Sequence, residues 1–217
     1  MKLKSAKSVK SKSPKPKSLA ASWATTNPDD IERRIKEQAA LQLRRPPEFY
    51  LRDGEEKKIR FVSSDPIALI SVYVAKVKGE FRSFVAPELG VDDAFAEAGL
   101  TASSRIVYEI IDLDGYVDKK TNKRIRNLPR FYVVSPKVHE QLKVIVKKYG
   151  PLDKFDIEMS RTGSGINTTY SFFPMPPKPL SLELQKLPRL RPDFAKYYAP
   201  LPYDQAQNLL KYVTPAN

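Results

Sequence analysis

Between Phe49 and Pro174 the apolar residues repeatedly fall on every second position, and this alternation more than any other feature limits what the chain can fold into. Ala68 to Val77 (ALISVYVAKV) is the clearest case. Ile70, Val72, Val74 and Lys76 share one face, and Leu69, Ser71, Tyr73, Ala75 and Val77 share the other. Side chains of a β-strand point alternately to opposite faces, so a period of two predicts strands with one face towards a core. Lys57–Val62, Phe81–Val85, Arg105–Asp112 and Phe131–Val134 read the same way, each rich in β-branched or aromatic residues. Phe155–Tyr170 (FDIEMSRTGSGINTTY) predicts a hairpin with an Arg-Thr-Gly-Ser-Gly turn.

Two helices interrupt this series. Val91–Ala98, closed by Gly99, predicts a short helical insert. Ser135-Pro136 is a strong helix start for VHEQLKVIVKKY, with Leu142, Ile145 and Val146 towards the core and Gly150 as the stop. A helix before the last strand pair of a small antiparallel sheet suits a mainly β fold, a five-stranded barrel of oligonucleotide-binding type with accessory helices. It does not suit a doubly wound sheet, where strands and helices alternate regularly. An open α+β sheet is the alternative that propensity leaves standing.

The ends differ in composition. Residues 1–26 predict a disordered basic tail: Met1–Ser18 holds seven lysines and no acid, about half of the net charge of +13. Asn27-Pro28-Asp29-Asp30 is a capped helix start, so 27–47 is expected to form an accessory helix ending before Pro46-Pro47. The sheet domain spans 48–174, and 175–217 is a proline-rich extension with short helices. Cysteine is absent and histidine occurs once, at His139, which excludes disulfides and thiolate metal sites. His139 falls in a helical pattern and is expected on the helix surface or partly buried. No phosphate loop, dinucleotide fingerprint, nucleophile elbow or metalloprotease motif is present, so the chain reads as a non-enzyme needing no cofactor and no metal. No apolar run approaches the length of a membrane span, and the N-terminus has no secretory pattern, so a cytoplasmic protein is expected.

A chain this basic points to an anionic partner. Its cations and aromatics interleave along the expected strands and loops, the pattern by which bases stack on rings while lysine and arginine follow phosphates. The candidate contact residues are Arg60, Tyr73, Lys76, Arg82, Phe84, Tyr108, Arg130, Tyr132, Arg161 and Tyr170, together with Lys119, Lys120, Lys123, Arg124 and Arg126 from the dense run KKTNKRIR. Each aromatic is equally readable as core and each cation as part of a solvated face. Gly163 and Gly165 are readable as turn residues alone.

The stretch from Gly150 to Tyr170 resembles the single-stranded DNA-binding proteins of tailed bacteriophages, distantly like the T-even helix-destabilising protein. Asp156, Ile157, Arg161, Gly163, Gly165, Thr168 or Thr169, and Tyr170 carry the resemblance. Phe49-Tyr50-Leu51-Arg52-Asp53-Gly54-Glu55, followed by Ile59-Arg60-Phe61, looks like that family's entry into its first strand. The resemblance covers about Phe49 to Pro174. It implies an oligonucleotide-binding fold that coats single-stranded DNA in phage replication, recombination and repair in the host cytoplasm, with replication or recombination proteins as further partners. RNA binding, or a structural role using the proline-rich end, are the alternatives. Two departures stand out: there are no zinc-subdomain cysteines, and the charged tail is basic and N-terminal where many relatives end in acid.

Overall fold

The computed structural model describes residues 46–77, 79–163 and 167–214. The expected tail at 1–26 and nearly all of the accessory helix at 27–47 lie outside them, as do Lys78 and Gly165. The described residues belong to one compact unit, Arg45–Asn217.

The protein is mainly β. Strand β4 (Ser103–Asp112) is the organiser, because it pairs with three other strands and uses both of its edges. Along one edge run β1 (Glu56–Phe61) and β2 (Ala68–Val77) in line, both antiparallel to it. Ile59 faces Asp112 and Phe61 faces Ile110, then Ala68 faces Val107 and Val72 faces Ser103. The intervening loop leaves and returns with Val62 N donating to Glu109 O and Ile67 N donating to Val107 O. Pro66 sits in that excursion, where it has no ladder hydrogen bond to supply.

The other edge of β4 carries β7 (Leu128–Val134), from Ile106 opposite Val134 to Asp112 opposite Leu128. Between β4 and β7 the chain forms a two-stranded ribbon, β5 (Tyr116–Val117) and β6 (Arg124–Ile125). β8 (Asp156–Thr162) pairs with the free edge of β1, and β9 (Thr169–Pro174) pairs with β8. β3 (Glu80–Val85) forms a hairpin with β2, and β10 (Val213–Thr214) continues the line of β4 beside the end of β2. Among the described residues no ladder joins β7 to β9, so the sheet path stays open at that seam. Part of the seam is filled by the entry segment: Phe131 N donates to Pro47 O, and Phe49 N donates to Phe131 O.

Alternation places Ile59, Phe61, Ile106, Tyr108, Ile110, Tyr132 and Val134 on the concave face. Helix α2 (Pro136–Tyr149) closes that face with Val138, Leu142 and Ile145; Val146 is half-buried beside them. Ser135 caps the helix, its hydroxyl accepting from Val138 N, and Gly150 ends it. The short helix α1 (Ala94–Glu97) is narrower than the sequence pattern suggests, because Asp93 caps it by accepting from Phe95 N and Ala96 N. Phe95 then supports Tyr73 and Phe84.

The proline-rich extension wraps the outer side of the sheet. Its short helices are α3 (Leu182–Gln185), α4 (Phe194–Tyr197) and α5 (Tyr203–Leu210). Phe194, Tyr197 and Tyr198 surround Phe131 edge-on, and the buried carboxylate of Glu109 accepts from Leu190 N at 2.6 Å. Among the described residues no helix is long and apolar enough to cross a membrane.

Arg60, 1% exposed, donates to Asp156 Oδ1 at 2.9 Å and to Lys178 O at 2.6 Å. Lys178 Nζ meets the other carboxylate oxygen at 2.6 Å. Removing one member of a buried pair strands the other charge away from water. Asp156→Ala is therefore expected to cost about 3–5 kcal/mol in urea unfolding. Lys178→Ala, at an exposed amine, should cost less than about 1 kcal/mol. Equal losses would contradict this assignment. Burial also pushes the Tyr108 hydroxyl up to about 12, with Asp65 and Glu140 adding to it. The folded protein thus holds that proton more tightly than an unfolded tyrosine near pH 10. The contribution is whole below about pH 10 and lost as pH rises through about 12, so Tyr108→Phe should flatten the alkaline limb of a stability profile.

Candidate nucleic-acid interface

The basic run KKTNKRIR lies on the β5–β6 ribbon, and its geometry follows from three residues that tolerate positive φ. Gly115 stands at φ 62° at the base, Asn122 at 52° in the tip and Asn127 at 56° where the chain re-enters β7. A side chain at Gly115 would place its Cβ 1.7 Å from Ile125 O, so the two arms can approach only because residue 115 has none. Gly115 N donates to Asp112 Oδ1 at 2.8 Å, and Lys57 Nζ donates to Asp112 Oδ2 and Gly115 O. Lys58 N donates to Asp114 Oδ2 at 2.6 Å. At the tip, Asp118 accepts from Lys120 N and from Thr121 Oγ1. Those bonds, that from Thr121 most of all, hold its carboxyl below the usual range and keep it charged.

The acids of the ribbon are thus committed to its own turns and base. Lys119, Lys120, Lys123, Arg124 and Arg126 are all exposed, and among the described residues none of them forms an ion pair. Tyr116, Val117 and Ile125 are also exposed, so the ribbon presents apolar surface between its cations.

A second feature shares this end of the sheet. Tyr50 is 65% exposed, and the Arg161 guanidinium lies 4.9 Å from its ring centre. Arg161 is itself buried, donating to Leu51 O at 2.5 Å and to Thr168 Oγ1 at 3.4 Å. It seats the Tyr50 ring, most of whose surface stays exposed. Glu55 links the two features: its carbonyl accepts from Arg161 N, and its carboxylate lies 3.7 Å from Lys57 at the ribbon base. At the β8–β9 turn Gly163 has φ 87°, and a Cβ there would lie 2.5 Å from Asn167 O. Closure of the hairpin accounts for this glycine, and its N–H donates to Asp53 Oδ1.

The sequence candidates therefore divide. The five ribbon cations stand together in solvent. Lys76 and Arg82 are exposed on the β2–β3 hairpin, which leaves the sheet at the opposite end of β4 and does not join them. Arg130 and Tyr170 are half-buried, and Phe84 is stacked on Phe95 with centroids 5.1 Å apart. Arg60, Tyr73, Tyr108, Tyr132 and Arg161 are interior, so their expected direct contact with a strand lying along the surface has no support in their placement. Tyr73 donates to Asp93 at 2.6 Å, Tyr108 is hydrogen-bonded to His139 Nδ1 at 2.6 Å, and Arg60 belongs to the buried pair. The reading from residue type passed over Tyr50. The signal was present, because Phe49 and Leu51 on either side of it are buried and alternation turns Tyr50 outward.

No family model, curated protein or solved structure matches this chain. The interface is consequently argued from its own geometry. Gly115→Ala should cost about 1–3 kcal/mol for the positive φ and more for the collision with Ile125. Gly54→Ala, at φ 71° with open space around it, should show the conformational cost alone. Thermal unfolding of the two variants checks this, and a smaller loss at Gly115 would refute the ribbon geometry.

Proposed function

We propose that the protein binds single-stranded DNA without regard to sequence, using the β5–β6 ribbon for phosphates and Tyr50 for stacking. The observation that carries this reading is the cluster of five exposed cations on a ribbon whose acids are held in its own turns. A polyanion approaching there meets five cations, gains charge–charge attraction and releases counterions. Tyr50 and Tyr116 offer ring faces of the kind on which any base can stack, which is why such binding tolerates sequence.

The sheet supports the same reading. We take the broken strand β1–β2, then β4, β7, helix α2, and the pair β8–β9, as an oligonucleotide-binding barrel in order and in helix position. Its last seam is occupied by the entry segment in place of a β7–β9 ladder. The ribbon is then the loop between the barrel's second and third strands, and the β8–β9 turn the loop between its fourth and fifth. The outer face of β4 and β7, where such barrels commonly bind, carries Phe194 and Tyr198 on Phe131. A single strand would have to displace both rings to lie there, so the contact is assigned to the ribbon and Tyr50. Coating of single strands in phage replication, recombination and repair is the role that the resemblance to the tailed-phage proteins supports.

Anisotropy titrations with a labelled single strand, a duplex and an RNA of equal length test the proposal. The single strand should bind tightest at moderate salt. Replacing Lys119, Lys120 and Lys123 by glutamine should weaken binding and lower the slope of log affinity against log salt by about 2. Tyr50→Ala should cost about 1–3 kcal/mol with little change in that slope. Equal affinity for duplex, or a slope unmoved by the lysine substitutions, would defeat it; preference for RNA would move the function to a 2′-hydroxyl reader.

A further inference from the structure

The part of the β7–β9 seam that the entry segment leaves unfilled is a cavity of about 390 Å³. Its walls come from β4, β7, the start of α2 and the start of β9, with Arg105, Tyr132, Lys137, Gln141, Thr169 and Tyr170 among the lining residues. Two of these are cationic, and among the described lining residues none is acidic. The N-terminus of the 14-residue helix α2 opens on it through Ser135 and Lys137, and the first turn of that helix carries no acid. A helix N-terminus adds roughly half a positive charge; here Pro136 has no N–H and Val138 N is capped by Ser135, which leaves the Lys137 N–H as its donor.

Tyr132 supplies an independent observation. It is 4% exposed, and among the described residues its hydroxyl has no hydrogen-bond partner. Tyr170 lines the same cavity from β9. A buried hydroxyl without a partner is costly, and it is readily explained if a ligand completes its hydrogen bonding. A cation is disfavoured by Arg105 and Lys137. An apolar ligand would leave Tyr132 as it is. An anion that accepts hydrogen bonds from several directions satisfies all of these groups. The volume lies within the range of small-molecule sites and accommodates one nucleotide, not a run of them.

We propose that this cavity binds a phosphate monoester carried on a single nucleotide, either the phosphorylated end of a single strand or a free mononucleotide. The first source rests on the single-strand reading above; the second does not. Arg105 and Lys137 balance the charge, the Lys137 N–H and the Tyr132 hydroxyl donate hydrogen bonds, and the Tyr170 ring lies beside the sugar or base.

Calorimetric titration of the full chain with a nucleoside 5′-monophosphate, the matching nucleoside and inorganic phosphate tests this. The monophosphate should bind at least about tenfold more tightly than the nucleoside, as charge-assisted hydrogen bonds to the phosphate require. Tyr132→Phe and Lys137→Gln should each weaken it at least about fivefold. Tyr132→Phe should also leave the thermal midpoint unchanged or raised, because it removes an unpartnered buried hydroxyl. Oligonucleotides with and without a terminal phosphate, at either end, then separate the two sources. Preference for the phosphorylated end assigns the strand terminus, and binding of the monophosphate alone assigns the free nucleotide. No saturable monophosphate binding together with no preference for a phosphorylated end, or binding indifferent to both substitutions, overturns the proposal. Ribbon substitutions should leave monophosphate binding intact, so a failure of single-strand coating and a failure of this site are read separately.

Discussion

The guanidinium of Arg60 holds together parts of the chain that have no other reason to meet. Arg60 and Asp156 are opposite each other in the β1–β8 ladder, and the carbonyl and amine of Lys178 close the same cluster from the proline-rich extension. A charge this deeply buried needs its partners in place, so ladder register and the path of the extension are fixed together. From that point the chain runs on to cover Phe131 and meet Glu109. The outer face of the sheet is occupied as a result, while five exposed cations stand together on the ribbon that emerges at the end of β4.

This division explains why the cations of the chain do different work. Arg60 and Arg161 are structural: one ties three segments, the other seats Tyr50 and holds the entry segment through Leu51 O. The ribbon cations touch no core and are held in place only by the turns beneath them. Asp112, Asp114 and Asp118 each accept from a backbone N–H of the ribbon or of β1, which fixes where their charges sit. The same carboxylates thereby shape the ribbon that carries the cations.

Strand positions and the α2 face were legible from period alone, because burial of one face leaves a direct imprint on ALISVYVAKV and VHEQLKVIVKKY. The dense run KKTNKRIR was legible for a related reason: five cations within eight residues are expensive to bury. Individual site residues were not. Arg60 and Arg161 look like surface cations until Asp156 and Leu51 O are brought to them by pairings about a hundred residues apart in sequence. Tyr108 and Tyr132 have the composition of a stacking surface, but the concave face of the sheet claims both. The covering of Phe131 by Phe194 and Tyr198 was equally hidden, since a proline-punctuated tail carries no period from which its docking could be read.

Hydrogen–deuterium exchange of the full chain, with and without a saturating thymidine oligonucleotide at moderate salt, tests the central claim most directly. The account predicts slowed exchange in the Tyr116–Arg126 ribbon and around Tyr50, with the β2–β3 hairpin unchanged. Protection confined to residues outside the ribbon and Tyr50, with the ribbon exchanging as in the free protein, would contradict it.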